Sequence, residues 1–490
     1  MKLYEIIYNE DFIRKDGEID PEITEITTDP KKIGAATLFV FLRSERFDIE
    51  LIKEKVIAAA PRAIICDDAI TLPKTDATVI RVESTRAILP YLYYRFYRID
   101  AAKIKLCAVT GTNGKTSTAT MIGEILKTAG HSVGFIGTGK ILINGELSSN
   151  VNYSMTTPDP ELLYKSIAMM INRGCTHIVM EVSSHALYFD KTAPLIFDVS
   201  VFTNLSSEHL DFHHNIEEYF DTKLKLYKQS RTGVFNLDDQ YSRRAMESFK
   251  LRSVCVSTHG GADYNASHIA ASSLSGTEYV MTEYNRRYKV RLGTGGIFNV
   301  YNSMMAIASA ELLDVPWTSA RDALKELNAI DGRLETIRDD VTVIIDYAHT
   351  PEAFKNVLKL LVSVKNDGQS LITVFGCGGD RDKMKRPEMA RIAEAYSDKV
   401  TVTSDNSRNE STASIIADIM KGFERSDAVT VIEDRRDAII HTVMSADDGD
   451  IIALLGKGHE RYNIQNGEYE HFDEREIVKE ALSQRRQRNK

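Results

Sequence analysis

Hydrophobic and polar positions fall into alternating blocks along the chain. Short, continuous apolar runs, the pattern of strands buried on both faces, occur at 37–42, 63–66 and 78–82, and a helical pattern over 85–97 follows them. The run 104–109 reads as another buried strand. After it Met121, Ile122, Ile125 and Leu126 recur at three- and four-residue spacing until Gly130, which predicts a helix. Strands are expected at 132–137, 176–182, 199–203 and 234–237, an antiparallel hairpin at 280–292, and amphipathic helices at 298–313 and 318–327. Beyond them, runs at 341–346, 371–375, 399–403, 429–432 and 451–455 are each separated by a helix-length segment. Strands alternating with helices predict parallel sheets with right-handed crossovers. The fold class expected is α/β with three domains: a small mixed domain at 1–103, a central parallel-sheet domain at 104–335, and a Rossmann-like doubly wound domain at 336–490. Residues 100–103 serve as a linker, and Tyr91, Tyr93, Tyr94, Phe96 and Tyr97 read as packing residues at a domain junction, because no basic residues interleave them as a base-stacking surface would need.

Composition narrows the classes. With 490 residues and 43% hydrophobic content the chain can bury several cores. A net charge of −9 argues against a general nucleic-acid or membrane-surface binder. The basic residues Arg485, Arg486, Arg488 and Lys490 are expected to form a solvated helix end. No apolar run approaches the roughly 18–20 residues needed to cross a bilayer, and the first residues meet acidic positions without a signal-peptide core. Cys66, Cys107, Cys175, Cys255 and Cys377 form no CxxC pair, so buried free thiols in a reducing cytoplasm are expected.

Candidate chemistry starts where the strand 104–109 ends. Thr110, Gly111, Thr112, Asn113, Gly114, Lys115 and Thr116 make a glycine-rich turn that opens a helix. Glycines let backbone N–H groups close on phosphates, and the helix N-terminus adds its dipole. Lys115 would reach the β/γ-phosphates and the Thr116 hydroxyl could take Mg²⁺. The strict Walker spacing fails, since Val109 stands where its first glycine belongs. Glu181 ends a strand, where a second Mg²⁺ contact usually arises beside such a loop. A polar cluster from Thr203 to His213 follows the next strand; the spacing of His209, His213 and His214 matches no zinc motif.

Taken together, residues 110–116, Glu181-Val182-Ser183-Ser184-His185, Thr203-Asn204-Leu205, His209-Leu210-Asp211, Gly332-Arg333-Leu334-Glu335, Asp346-Tyr347-Ala348-His349-Thr350-Pro351 and Gly376-Cys377-Gly378-Gly379-Asp380-Arg381-Asp382 resemble the Mur ligase family. Gly456-Lys457-Gly458-His459-Glu460 points to its UDP-N-acetylmuramoyl-tripeptide synthetase branch. The resemblance implies an ATP-dependent amide ligase that joins a third amino acid to UDP-N-acetylmuramoyl-L-alanyl-D-glutamate through an acyl phosphate, in cytoplasmic peptidoglycan precursor synthesis. It implies a catalytic set of Lys115, Glu181, His209 and Lys223. Mg²⁺ would be held by Thr116, Glu181, His209 and a CO₂-derived carbamate on Lys223, a position that the residues alone read as an ordinary helix lysine. Asn299, Asn302, Arg333 and His349 would join the loop 110–116 in binding ATP. Thr156, Thr157, Ser183 and Lys191 would hold the UDP substrate, and Arg381, Asp405, Asn406, Ser407, Arg408, Gly456 and Glu460 the amino acid. The partners implied are this dipeptide and a diamino acid, with no nucleic acid and no membrane insertion, and a monomer is expected.

Three departures bear on the substrates. Pro30 replaces the serine of an Asp-Ser-Arg motif, Lys191 stands where the family prefers arginine and so lacks the bidentate fork, and Ser407 replaces the proline of Asp-Asn-Pro-Arg. Arg408, which in relatives grips the distal carboxylate of meso-diaminopimelate, is present and favours that amino acid. L-Lysine or another amino acid, a folylpolyglutamate-synthase-like ligase and a non-catalytic binding paralogue are the alternatives.

Overall fold

A computed structural model describes residues 1–7, 12–17, 20–42, 49–148, 155–271, 273–274, 276–327, 329–425 and 429–488. It is α/β with parallel sheets, the expected class. The chain forms two compact units, each discontinuous in sequence. Met1–Thr110, His131–Ser200 and Thr222–Arg231 make the first, and Gly111–Gly130, Val201–Asp221 and Thr232–Lys490 the second.

In the first unit a five-stranded sheet is ordered Phe12–Asp16, Thr78–Val82, Ala63–Asp67, Thr37–Val40, Glu25–Thr27, with only the first strand antiparallel to its neighbour. The helix Thr85–Phe96 starts at Ser84, whose side chain accepts from the Ala87 N–H. Its aromatics pack as expected: Tyr93 is buried with its hydroxyl donating to Ile26 O at 3.2 Å, and Tyr94 meets Tyr164 of the helix Pro160–Asn172 edge-on at 6.1 Å. The strand His177–Glu181 pairs in parallel with Lys105–Thr110 and Val133–Gly137, and all five of its residues are buried. That burial on both faces is why these strands read as unbroken apolar runs.

In the second unit the helix Lys115–Thr128 packs against Ile297–Leu312 and Trp317–Glu326, and Ile297–Leu312 is apolar and buried almost all round. The antiparallel hairpin falls at Thr277–Glu283 and Arg286–Leu292. A six-stranded sheet is ordered Glu335–Arg338, Thr342–Asp346, Ile451–Leu455, Leu371–Phe375, Lys399–Val402, Val429–Val431. Successive side chains point to opposite faces. Leu371 and Phe375 join the core under Pro351–Val364, Lys385–Tyr396 and Thr412–Met420, while Ile372 and Val374 join the one under Arg435–Ser445 and Glu474–Arg488.

The helix end is solvated at Arg486 and Arg488 as expected, and the correction concerns Arg485. Arg485 is buried, donating to Val443 O and Ala446 O and pairing with Asp340 and Asp448, and Arg486 pairs with Asp339. Carbonyls left open at the end of the helix Arg435–Ser445 create that demand for a donor. Lys490 lies outside the described residues. All five cysteines are buried free thiols, and among the described residues no helix is long and apolar enough to cross a membrane.

Candidate active site

The loop 111–114 is built against the segment after Phe197–Phe202. Thr112 N–H donates to Asn204 O at 2.9 Å, Asn113 N–H to Asn204 Oδ1 at 2.9 Å, and Thr203 Oγ1 to Asn113 O at 2.6 Å. Gly111, at φ +143°, would put a Cβ 1.9 Å from Thr203 Oγ1, so only glycine fits this close approach. Lys115 Nζ donates to Gly111 O and Thr112 O at 3.0 and 2.7 Å, which draws the ammonium over the loop where a polyphosphate would lie. Asn302 stands against Gly114, accepts from Thr118 Oγ1 at 3.2 Å and donates to Asn299 Oδ1 at 3.1 Å. Both asparagines are buried in this unit.

Arg333 reaches the first turn of the helix that follows this loop, and His349 faces Glu208. The Arg333 guanidinium lies 4.8 Å over the Tyr347 ring, with Nη2 3.5 Å from Thr116 Oγ1. His349 Nδ1 faces Tyr347 O at 2.8 Å and its Nε2 faces Glu208 Oε1 at 2.9 Å. Thr350 Oγ1 donates to Asn113 Oδ1 at 3.1 Å and Asn113 Nδ2 to Glu352 Oε2 at 3.3 Å, which tie the two loops together. Glu208 was not among the expected site residues. Burial alone would push its carboxyl up, but His209, the His349 hydrogen bond and charge, and Lys115 outweigh it and hold Glu208 well below the usual range. Its place next to His209 was a visible hint; its partner, 141 residues away, was not. His209 itself takes a left-handed φ of +57° with Nε2 3.7 Å from Glu208 Oε2.

In the first unit, Glu181 is fully buried, with its Oε1 accepting from Thr138 N–H at 3.1 Å and Oε2 3.3 Å from Thr138 Oγ1. The expected UDP-substrate residues gather at this same strand end. Thr156 Oγ1 lies 3.2 Å from Thr138 Oγ1, Thr157 Oγ1 donates to Glu181 O at 2.9 Å, and Ser183 N–H donates to Thr157 Oγ1 at 3.0 Å. Lys191 is nearly buried and pairs with Asp159 at 2.7 Å. Thr138 and Asp159 are the residues missed here. Lys223, at the end of the helix Ile216–Leu224, is 1% exposed, whereas Lys225 is half in solvent and pairs with Asp190. Pro30 opens a short 3₁₀ turn capped by Asp29, which accepts from Lys31 N–H at 3.0 Å.

At the carboxyl ends of the six-stranded sheet, Asn406 Nδ2 donates to Glu460 Oε2 at 2.7 Å, and the fully buried Lys457 lies 3.8 Å from both Asp405 Oδ1 and Glu460 Oε2. Burial works against ionisation of both acids. The Lys457 and Arg435 charges pull Asp405 below its usual value, whereas Glu460, facing Asp405, stays raised. Arg408, at φ +52°, donates through Nη1 to Gly379 O at 2.9 Å. Arg381 and Arg408 flank Gly378: a Cβ there would sit 2.7 Å from Arg408 Nη1 and 3.8 Å from Arg381 Cγ. Burial, and then the Arg408 charge, push the Arg381 guanidinium down. Gly456 N–H donates to Asp346 O at 3.0 Å, and Ser407 is buried in the loop that carries Asp405, Asn406 and Arg408.

A phosphate-type glycine loop opening a helix, joined to a doubly wound sheet whose strand ends carry acids and arginines, defines a P-loop-type α/β protein. The chain belongs to the Mur ligase family: the Mur ligase middle domain matches residues 109–310 and the Mur ligase glutamate ligase domain residues 332–458. It is 38% identical to the UDP-N-acetylmuramoyl-L-alanyl-D-glutamate–2,6-diaminopimelate ligase of Caldanaerobacter subterraneus subsp. tengcongensis over 96% of each chain. It is 34% identical to the first such ligase of Clostridium acetobutylicum, over 99% of this chain and all of that one. A solved structure of a ligase of this name aligns at TM-score 0.68 and 28% identity over 99% of both chains.

Proposed function

We propose that the protein is an ATP-dependent ligase that adds meso-diaminopimelate to UDP-N-acetylmuramoyl-L-alanyl-D-glutamate in the cytoplasm, with 1–103 as the UDP-substrate domain, 104–335 as the ATP domain and 336–490 as the amino-acid domain. A D-glutamate carboxylate oxygen attacks the γ-phosphorus and ADP leaves. The amino-acid nitrogen then attacks the acyl carbon, and the tetrahedral intermediate loses phosphate and a proton. Lys115, Asn299, Asn302, Arg333 and His349 serve ATP; the cations among them offset the repulsion between the two reacting anions. Thr156, Thr157, Ser183 and Lys191 serve the UDP substrate.

Thr116, Glu181, His209 and a carbamylated Lys223 are proposed as Mg²⁺ ligands, a role carried over from the family resemblance. The donors are mostly the hard oxygens this ion takes, and Glu181 is held in orientation by Thr138. When bound, the ion supplies charge neutralisation on the transferring phosphoryl group.

The observation that carries the amino-acid assignment is the Arg381–Arg408 pair. The Arg408 guanidinium and the Arg381 side chain both lie beside Gly378, and the charge of Arg408 works against that of Arg381. An added anion would relieve that opposition, and a distal carboxylate is what meso-diaminopimelate has and L-lysine lacks. Phosphate release with ATP, Mg²⁺ and the UDP-muramoyl dipeptide, measured with meso-diaminopimelate, L-lysine and L-ornithine in turn, tests it. Meso-diaminopimelate is expected to give a kcat/KM at least about tenfold above the others. Equal use of L-lysine would overturn the assignment, and stimulation by folates but not by the dipeptide would overturn the reaction.

A further inference from the structure

Within the amino-acid site the carboxamide of Asn406 has a fixed orientation. Its Oδ1 accepts from Lys457 Nζ at 3.0 Å and from Ile464 N–H at 2.9 Å. An oxygen occupied by two donors turns the NH₂ end the other way, where it meets Glu460. Ile464 lies in a hairpin, Tyr462–Gln465 paired with Glu468–His471, which turns at Asn466 and Gly467 with φ of 50° and 81°. The same hairpin grips the main chain of Arg408 on both sides: Arg408 N–H donates to Ile464 O at 3.0 Å, and Asn466 N–H to Arg408 O at 2.7 Å. Four hydrogen bonds from outside thus hold a loop in which Ser407 supplies none of the rigidity of a proline.

We propose that the hairpin 462–471 and Lys457 are positioning elements of the amino-acid site. They set which way Asn406 presents its amide and Arg408 its guanidinium, and they replace the restraint a proline at 407 would give. The inference rests on the proposed ligase reading. Ile464→Pro removes one donor to Asn406 while keeping a strand-compatible φ, and Lys457→Met removes the other.

The test takes the full-length protein, checks each variant by thermal melting, and measures KM for meso-diaminopimelate, ATP and the dipeptide. It also measures dipeptide-dependent ADP–ATP isotope exchange without amino acid, which reports acyl-phosphate formation alone. Each folded variant is expected to raise the meso-diaminopimelate KM about tenfold, with exchange and the other two KM values within about twofold of the parent. Adding Ser407→Pro to Ile464→Pro is expected to recover most of that loss. If Ile464→Pro does not fold, Lys457→Met decides. A folded variant with the parent's amino-acid KM, or one in which all three KM values and exchange worsen together, overturns the inference. Absence of exchange and ligation in the parent protein would instead overturn the ligase reading itself.

Discussion

Gly137 ends the strand Val133–Gly137 with its Cβ position 2.3 Å from Glu181 Oε1 and 2.6 Å from the Phe135 ring. A methyl group there cannot coexist with the carboxylate as it is now held by Thr138. Gly137→Ala is therefore expected to displace Glu181 and overpack the strand, at a cost of about 1–3 kcal/mol. The urea midpoint should fall, and if Glu181 is a Mg²⁺ ligand the concentration of Mg²⁺ for half-maximal activity should rise at least severalfold. A variant that unfolds like the parent and keeps its Mg²⁺ dependence would show that the carboxylate has room to move. Lys223 poses the opposite case at the same scale: the residues alone read it as an ordinary helix lysine, the family spacing favours it over Lys225, and in the fold it is the buried one of the two.

Among the elements, the helix Gln240–Ser248 begins on a costly cap. Asp239 accepts from Ser242 N–H at 2.7 Å and from Leu205 N–H at 3.4 Å. Burial, with the charge of Glu352 adding, still pushes its pKa up to about 6 against the pull of those hydrogen bonds. Since the folded value exceeds the unfolded one, the folded state holds the proton more tightly, and stability falls as pH rises from about 4 through 6. Asp239→Asn keeps a capping oxygen and removes the charge. It is expected to gain stability over the parent that is larger at pH 8 than at pH 5 by on the order of 1 kcal/mol, read by denaturant unfolding at the two pH values; an equal gain at both would contradict the shift. This helix was not visible in the pattern, and neither was the hairpin 462–471. The strands Lys105–Thr110, Leu371–Phe375 and Ile451–Leu455 were, because burial on both faces demands unbroken apolar runs. The hairpin strands are polar and largely exposed, so no periodicity marks them. Only Asn466-Gly467, a pair suited to two successive left-handed residues, was there to find. The candidate site divides the same way. Lys115, Arg333, His349 and Lys457 sit in motifs that are local in sequence, whereas Glu208 and Thr138 gain their places from partners far along the chain.

For the whole molecule, the proposed chemistry separates into two halves that one chain must run in order. Acyl-phosphate formation needs ATP and the dipeptide, and only the second half needs the amino acid. Hydroxylamine, small and neutral, should intercept the acyl phosphate without using the site at Arg381, Asn406 and Arg408. With ATP, Mg²⁺, dipeptide and hydroxylamine, the protein is expected to form one hydroxamate per ADP. Lys115→Met should reduce this by about 10²-fold or more, as removal of a group stabilising transition-state charge does. Arg408→Met should leave hydroxamate formation near the parent rate while raising the KM for meso-diaminopimelate by about 10- to 100-fold, the range for losing a charge-assisted pair. The guanidinium of Arg408 is tethered to Gly379 O and Asn406 O, within the loop that ends at the sheet's carboxyl edge, so its loss should act on that edge and spare the loop 111–114. Ligation without any hydroxamate would mean that the acyl phosphate never becomes accessible. An Arg408→Met protein that loses both reactions together would mean the two halves are not separable in this chain, and that the amino-acid site must be intact before phosphoryl transfer begins.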